Sequence, residues 1–529
     1  VCTQYSRSAH CFVCTSPHFL NWTSNHRTLP WRAGSATDII GHSKHKTVKT
    51  YLLHSDNKAM FSVLSSLLCI SSALAVNPIT VSGNAFYNGS SDRFYIRGVD
   101  YQPGGSSLLQ DPLADADSCK RDIKYFKELG INTIRVYTVD NKADHDECMN
   151  ALEEAGIYLI LDVNTPHQSL NRYNESTLKL SYNSGYLQHV FATIDAFKNY
   201  NNTFGFFAAN EVINSENNTI AAPYIKAVVR DMKSYIKAQC NRTFPVGYSA
   251  ADVASSRWQQ MQYLNCGNSS ERIDMFGMND YSWCGDASSY TISGWSTNVH
   301  NYANYSIPLF LSEYGCNIVR PRTFPEISSL YGEDMCEVYS GGLVYEYTNE
   351  SNNYGLVDIS SNGTVTTLTD FDNFKKALSS NPAPSGIDGA ENKSPSECPA
   401  YQSGVWDVQP NATVPEMPAY ARRYLSDGAG TPLGMNGTDT QNGSWFDVSS
   451  AASEDSSSAA PSTTASSSSS DDNSAASSAT ATSTSSGSSS SSSHSTSSSA
   501  TTSKHSKNIA PSKPGVGMTF VIAVLAYFY

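Results

Sequence analysis

Charge is scarce in this chain. Asp, Glu, Lys and Arg make up 16% of its 529 residues, against about a quarter in an average globular protein. The charge present leans acidic, with a formal net charge of −13. A basic footprint for nucleic acid or anionic lipid is therefore missing, and no nucleic-acid partner is expected. A Gly-rich phosphate loop is missing too: Tyr101-Gln102-Pro103-Gly104-Gly105 lacks the spacing of a dinucleotide fingerprint. His10, Cys11, Cys14 and His18 have a metal-like spacing, but no second Cys/His pair completes a four-ligand zinc site. No metal and no cofactor are expected. No histidine accompanies any of the eight cysteines from Cys119 to Cys398 in a recognisable signature, which weakens a thiol nucleophile. No cysteine follows Cys398 and no methionine precedes Met60.

The ends are legible from composition. Met60 opens a short apolar run closed by Ala73-Leu74-Ala75, the form of a secretory leader over residues 60–75. A leader works only at an N-terminus, so residues 1–59 are expected to lie outside the natural product. They are basic and hold half of the histidines, while the remainder is acidic. At the other end Val516–Tyr529 is apolar to the last residue, shorter than the about 20 residues of a bilayer span. Prolines 511 and 514 and a small-residue region precede it, which reads as a GPI-attachment signal over residues 508–529 with Asn508 as anchor and Ser506 as second choice. Residues 449–507 are nearly all Ser, Thr and Ala, too polar to offset their ordering entropy, and read as a disordered O-glycosylated stalk. Acceptors of the form Asn-X-Ser/Thr recur, among them Asn88, Asn174, Asn201, Asn241, Asn268, Asn304, Asn349 and Asn411.

Residues 76–400 suffice for one large α/β domain. Strand-like runs fall at Phe94–Val99, Thr133–Tyr137, Ile157–Val163, Phe204–Ala208, Phe244–Gly247, Ile273–Asn279, Ile307–Ser312 and Gly342–Tyr347. Amphipathic segments lie between them. Cys119–Leu129 and Glu147–Ala155 are examples, closed by Gly130 and Gly156 as helix ends are. Eight strands alternating with helices predict a (β/α)8 TIM barrel; an open doubly wound sheet is the alternative. Residues 401–448 read as a short extension packed on the barrel or a linker.

Two of the apolar runs end in glutamate: Phe204–Glu211, with Asn210 just before the acid, and Ile307–Glu313. Strand C-termini are where a barrel carries its chemistry. Two carboxyls are what a retaining glycosidase needs, one acid/base and one nucleophile, about 5–5.5 Å apart. Glu211 must start protonated, and partial burial plus the charge of Glu313 are expected to raise its pKa. Tyr101, Gln102, Tyr137, Asp162, Tyr281, Tyr345 and Tyr347 also fall at or near strand ends, as a saccharide groove would require. Eight cysteines lie in this region, and an even number in a secreted chain implies disulfides. Cys119–Cys148 is expected to tie two consecutive helices.

The segments FYIRGVDYQPGG (94–105), TIRVYTVD (133–140), LILDVN (159–164), FFAANEVI (206–213), MNDYSWC (278–284), FLSEYGC (310–316) and GGLVYE (341–346) resemble, in order, the fungal cell-wall β-1,3-glucanosyltransferases of glycoside hydrolase family 72. The resemblance implies an extracellular enzyme that cuts an internal β-1,3-glucan bond and transfers the new reducing end to the non-reducing end of a second glucan chain. It implies Glu211 as acid/base, Glu313 as nucleophile and Asn210 at the sugar 2-hydroxyl. Gln102, Tyr101, Tyr137, Asp162, Tyr281, Tyr345 and Tyr354 would line the site. It adds Cys266–Cys398 and Cys284–Cys316, leaving Cys240 and Cys336 as a fourth pair. With no cysteine after Cys398, the chain resembles the subfamily without a Cys-rich carbohydrate-binding module. A monomer held by a lipid anchor at the outer face of the plasma membrane or in the wall follows. Hydrolysis by an endo-β-glucanase on the same barrel, and a non-catalytic wall mannoprotein, stay open as alternatives.

Overall fold

A computed structural model describes residues 76–89, 93–385, 391–437 and 439–443. Residues 1–59, the leader, the stalk, Asn508 and the tail after it lie outside the described residues.

A small antiparallel sheet comes first: β1 (Thr80–Ser82), β2 (Ala85–Tyr87) and β3 (Arg93–Phe94). Eight parallel strands then close a barrel: β4 (Ile96–Asp100), β5 (Thr133–Val136), β6 (Tyr158–Asp162), β7 (Thr203–Asn210), β8 (Val246–Ala251), β9 (Met275–Asn279), β10 (Leu309–Tyr314) and β11 (Tyr339–Val344). Closure is made by β11 against β4, from Gly341 opposite Ile96 to Val344 opposite Val99. Every expected strand is present. Two are displaced: Phe244–Gly247 was expected where the ladder spans Val246–Ala251, and Gly342–Tyr347 was the last apolar run, but the ladder spans Tyr339–Val344. Apolar runs report burial, and the chain stays mostly buried past the point where pairing stops.

The helices are α1 (Ala116–Leu129), α2 (Asp146–Glu154), α3 (Glu175–Ser181), α4 (Ser184–Phe197), α5 (Ala222–Gln239), α6 (Arg257–Leu264), α7 (Trp295–Tyr302), α8 (Ile327–Leu330), α9 (Thr369–Ser380) and α10 (Tyr424–Asp427). Local chemistry explains α1. Asp115 caps its first turn by accepting from Ser118 N, and Gly130 ends it at φ 73°, a left-handed conformation that glycine adopts without a Cβ penalty. Its Cys119, Ile123, Phe126 and Leu129 face inward.

Two apolar clusters confine the chemistry to one end. The larger lies between strands and helices. The smaller fills the barrel from its N-terminal side with Ile96, Ile160, Phe204, Phe207, Met275, Phe310 and Leu343. The small sheet plugs it: Phe86 meets Phe204 at 4.8 Å and Phe310 at 5.9 Å, ring edge to face. Inside the barrel, this leaves the C-terminal mouth for polar groups.

Disulfides join Cys119–Cys148, Cys266–Cys398 and Cys284–Cys316, with Cα separations of 5.7, 5.1 and 5.1 Å. The expected fourth pair is corrected: Cys240 and Cys336 are both free. Cys240 ends α5, just before β8, and Cys336 precedes β11. Two further strands separate β8 from β11 on one side of the barrel and four on the other, so the thiols belong to different flanks.

Residues 401–437 and 439–443 pack on the outer helices. Trp406 is fully buried against Tyr263, ring centroids 5.5 Å apart. Gln188 donates to the Ala429 and Thr431 carbonyls at 3.1 and 3.0 Å, and Asn183 to Thr440 O at 2.8 Å. Among the described residues no helix is long and apolar enough to cross a membrane, and no His/Cys/Asp/Glu group could hold a metal ion.

Candidate active site

The two glutamates meet at the barrel mouth through a third residue. Glu211 follows β7 and Glu313 sits on β10, while Asn279 ends β9 and pairs with Glu313 in the ladder. Asn279 Nδ2 donates to Glu211 Oε1 at 2.8 Å and to Asn210 Oδ1 at 3.3 Å. Its Oδ1 accepts from Ser312 Oγ at 2.7 Å and Ser249 Oγ at 3.1 Å. With two hydroxyls on the oxygen, the NH2 of the amide is turned to Glu211 and Asn210. Gly277 makes room for this layer: a Cβ there would lie 2.6 Å from Ser312 Oγ.

Glu211 holds a backbone conformation that L-residues avoid, φ 47°. Two bonds lock it: its N–H donates to Ser249 O at 2.9 Å and its carbonyl accepts from Arg172 at 3.0 Å. Strain at this position aims the side chain from a strand end into the mouth.

Glu313 is deeper, only 7% exposed. Its Oε1 accepts from Tyr137 OH at 2.8 Å and Arg135 Nη1 at 3.2 Å, and its Oε2 from Tyr281 OH at 2.7 Å. Burial pushes its carboxyl up to about 7. Arg135 opposes that rise, the charge of Glu211 adds to it, and the two tyrosine hydroxyls oppose it again. The cause lies in the fold: the β10 strand carries the Glu313 side chain into the barrel, while Glu211 stands at the half-buried rim.

Arg135 is fully buried and braces the floor, with bonds to Asp162 at 3.1 and 2.9 Å and to Ser312 O at 3.3 Å. Asp162 thus faces Arg135. Below them Asp100 is buried with neither carboxyl oxygen hydrogen-bonded. Burial drives its pKa far upward, with Arg135 the main opposing charge.

Tyr137, Tyr281, Tyr345 and Tyr354 form one aromatic wall. Tyr345 lies 6.5 Å from Tyr137, 6.3 Å from Tyr281 and 5.3 Å from Tyr354, ring centre to ring centre. Tyr281 and Tyr354 are 5.5 Å apart. Gln102 is buried as a brace, accepting from the Tyr137 and Thr138 N–H groups at 3.2 Å and donating to Gln110 O at 2.6 Å. Tyr101 is not brought into this cluster. It is fully buried on the helix side, its OH donating to Asp122 of α1 at 2.8 Å and its ring against Phe126 and Tyr347. Alternation along a strand explains it: neighbours point to opposite faces.

Arg135, Asn279 and Ser249 were missed in the sequence. Arg135 had a signal, since an arginine within the buried run Thr133–Val136 demands buried carboxylates. Asn279 and Ser249 had none beyond their place at strand ends.

Comparison with known proteins adds the following. The profile of the glucanosyltransferase family, glycoside hydrolase 72, matches residues 68–381. The chain is 58% identical to the 1,3-beta-glucanosyltransferase gel1 of Aspergillus fumigatus over 364 residues, covering 68% of this chain and 78% of that one. It is 57% identical to the 1,3-beta-glucanosyltransferase GAS5 of Saccharomyces cerevisiae, covering 67% and 73%. Among solved structures, a Glu→Gln mutant of Saccharomyces cerevisiae Gas2p in complex with laminaritetraose and laminaripentaose aligns with TM-score 0.61 at 40% identity. That alignment covers 66% of this chain and 77% of that one.

Proposed function

This chain belongs to the glycoside hydrolase 72 family of glucanosyltransferases, and from that premise we propose that Glu211 and Glu313 carry its reaction. The enzyme is a β-1,3-glucanosyltransferase acting on glucan donor and acceptor chains. The observation that supports the residue assignment is the strand-end acid pair bridged by Asn279.

Glu313 is the nucleophile. Arg135, Tyr137 and Tyr281 stabilise its charged form, as attack on the anomeric carbon requires. Glu211 gives its proton to the glycosidic oxygen as that bond breaks, and the reducing-end fragment leaves. The retained fragment stays bonded to Glu313 through its new reducing end. Glu211, now ionised, takes the proton of a hydroxyl at the non-reducing end of a second glucan chain. That oxygen attacks the anomeric carbon and frees Glu313. Two displacements retain the β configuration. Asn210 meets the sugar 2-hydroxyl, and the tyrosine wall supplies flat faces for sugar rings. Gln102 and Asp162 act behind this surface by holding Tyr137 and Arg135.

Incubation with a short β-1,3-gluco-oligosaccharide tests the reading. Transfer yields products longer than the substrate, and only shorter products would leave a hydrolase. Glu211→Gln and Glu313→Gln should each lose at least about a hundredfold in rate, with folding unchanged by circular dichroism. A non-catalytic wall protein would show no activity to lose.

The same reading makes residues 60–75 a secretion leader, 449–507 a glycosylated stalk and Asn508 the site of a lipid anchor. Composition supports each. The lack of cysteine in residues 399–529 supports the subfamily without a Cys-rich module, and a monomer at the cell surface completes this reading. Deleting residues 508–529 should release active enzyme into the medium.

A further inference from the structure

Away from the mouth, a groove of about 600 Å3 runs between α5, the loop after α6 and the C-terminal extension, a size typical of small-ligand sites. Asn268 and Ser270 line one bank, Ala412 and Thr413 the other. Both pairs are parts of glycan acceptors, Asn268-Ser269-Ser270 and Asn411-Ala412-Thr413. Asn268 is exposed, and its Oδ1 accepts from Ser270 N at 3.2 Å, which holds the side chain at the rim. The Cys266–Cys398 bridge anchors the same bank two residues earlier. The floor is built and polar. Buried Asp231 is held by Arg230 and the Tyr182 hydroxyl, and Arg230 also donates to Pro415 O at 2.7 Å. Among the described residues, Arg422 makes only long hydrogen bonds, 3.4 Å to Met417 O and 3.5 Å to Glu416, which leaves donors for other oxygens.

We propose that an N-linked glycan on Asn268 lies in this groove and staples the extension to the barrel. The modification joins Asn268 Nδ2 to the sugar C1 as the oligosaccharide leaves a lipid diphosphate carrier, and the amide proton departs with the diphosphate. Three disulfides place the chain in an oxidising compartment, where that carrier operates. A neutral sugar suits a groove lined by both signs of charge and by hydroxyls, where a charged ligand would meet a like charge. Tethering makes docking intramolecular, so a weak contact suffices to fill the site.

The secreted protein from a fungal host tests this. Peptide mass analysis should find Asn268 occupied. An endoglycosidase should remove that glycan from native protein at least roughly tenfold more slowly than from denatured protein, the equivalent of about 1.4 kcal/mol of docking. Ser270→Ala and Asn268→Gln, which abolish the acceptor by different residues, should lower Tm equally and speed proteolysis within residues 401–443. Asn241→Gln, at an acceptor outside the groove, should not. Transferase activity should persist in all three. An unoccupied Asn268, equal trimming of native and denatured protein, or an extension as protease-resistant in Ser270→Ala as in the parent would each overturn the proposal.

Discussion

Glu313 is held by three side-chain donors and Glu211 by one, and that asymmetry supports the division of labour proposed for them. A hydrogen bond to a charged group is worth about 1.5–3 kcal/mol. Tyr281→Phe should therefore lower kcat/KM by roughly ten- to a hundredfold. The pH profile carries the sign. The Tyr281 hydroxyl stabilises the ionised Glu313 and so lowers its pKa. Without it the carboxyl titrates above its present value of about 7, and the acid limb moves to higher pH. The variant should lose more activity at pH 6 than at pH 8. An acid limb that stays in place would show that Glu313 is not the group titrating there. Asn279→Ala leaves Glu211 Oε1 without its amide donor and should cost about tenfold in kcat, with KM for the oligosaccharide little changed.

The barrel strands decide how closely such groups approach. Gly277 on β9 has no room for a side chain: its Cβ would lie 2.6 Å from both Cβ and Oγ of Ser312 and 3.0 Å from Phe207. Gly277→Ala must push Ser312 away from Asn279, and overpacking of this kind costs about 1–3 kcal/mol. Thermal unfolding should show the loss of stability, and the rate should fall with it through the Ser312–Asn279–Glu211 chain. The helix layer behaves differently. Cys119–Cys148 ties α1 to α2 with a sequence separation of 29. Replacing both cysteines with serine should cost about 2–4 kcal/mol in urea unfolding yet spare kcat at low temperature. No residue of the mouth cluster lies on either helix.

Across the whole molecule, buried acids set the pH dependence of stability. Burial raises Glu326 to about 7 and Glu346 to about 8, while the unfolded chain releases both protons near 4.5. Between those values the folded state binds more protons, so stability is present at low pH and is lost as pH rises. Asp231 and Asp252, raised by burial to about 6 and about 7, act in the same direction. His189 opposes them: burial lowers it to about 4, so its contribution is lost on acidification. Glu313 and Asp100, likewise raised by burial, add to the acids; together these acids outweigh one histidine, and Tm should fall by several degrees from pH 5 to pH 8. Glu326→Gln should flatten that slope; a slope left unchanged would remove Glu326 from the explanation.

The sequence by itself determined the barrel, its eight strands and the two glutamates. Apolar runs such as Phe204–Ala208 and Ile307–Ser312 record burial on both faces, and a polar residue at the end of such a run has only the mouth to occupy. Cys119–Cys148 was legible because it joins neighbouring helices. What crosses the barrel was not. Nothing local in Arg135 says that it reaches Glu313, 178 positions along the chain, and nothing local in Asn279 says that it bridges to Glu211. Tyr101 and Gln102 are adjacent in sequence, yet one faces the helix layer and the other the mouth. That choice, the free state of Cys240 and Cys336, and the depth that raises Glu313 depend on which strands close against which. Closure is a long-range event, and only the tertiary structure decides it.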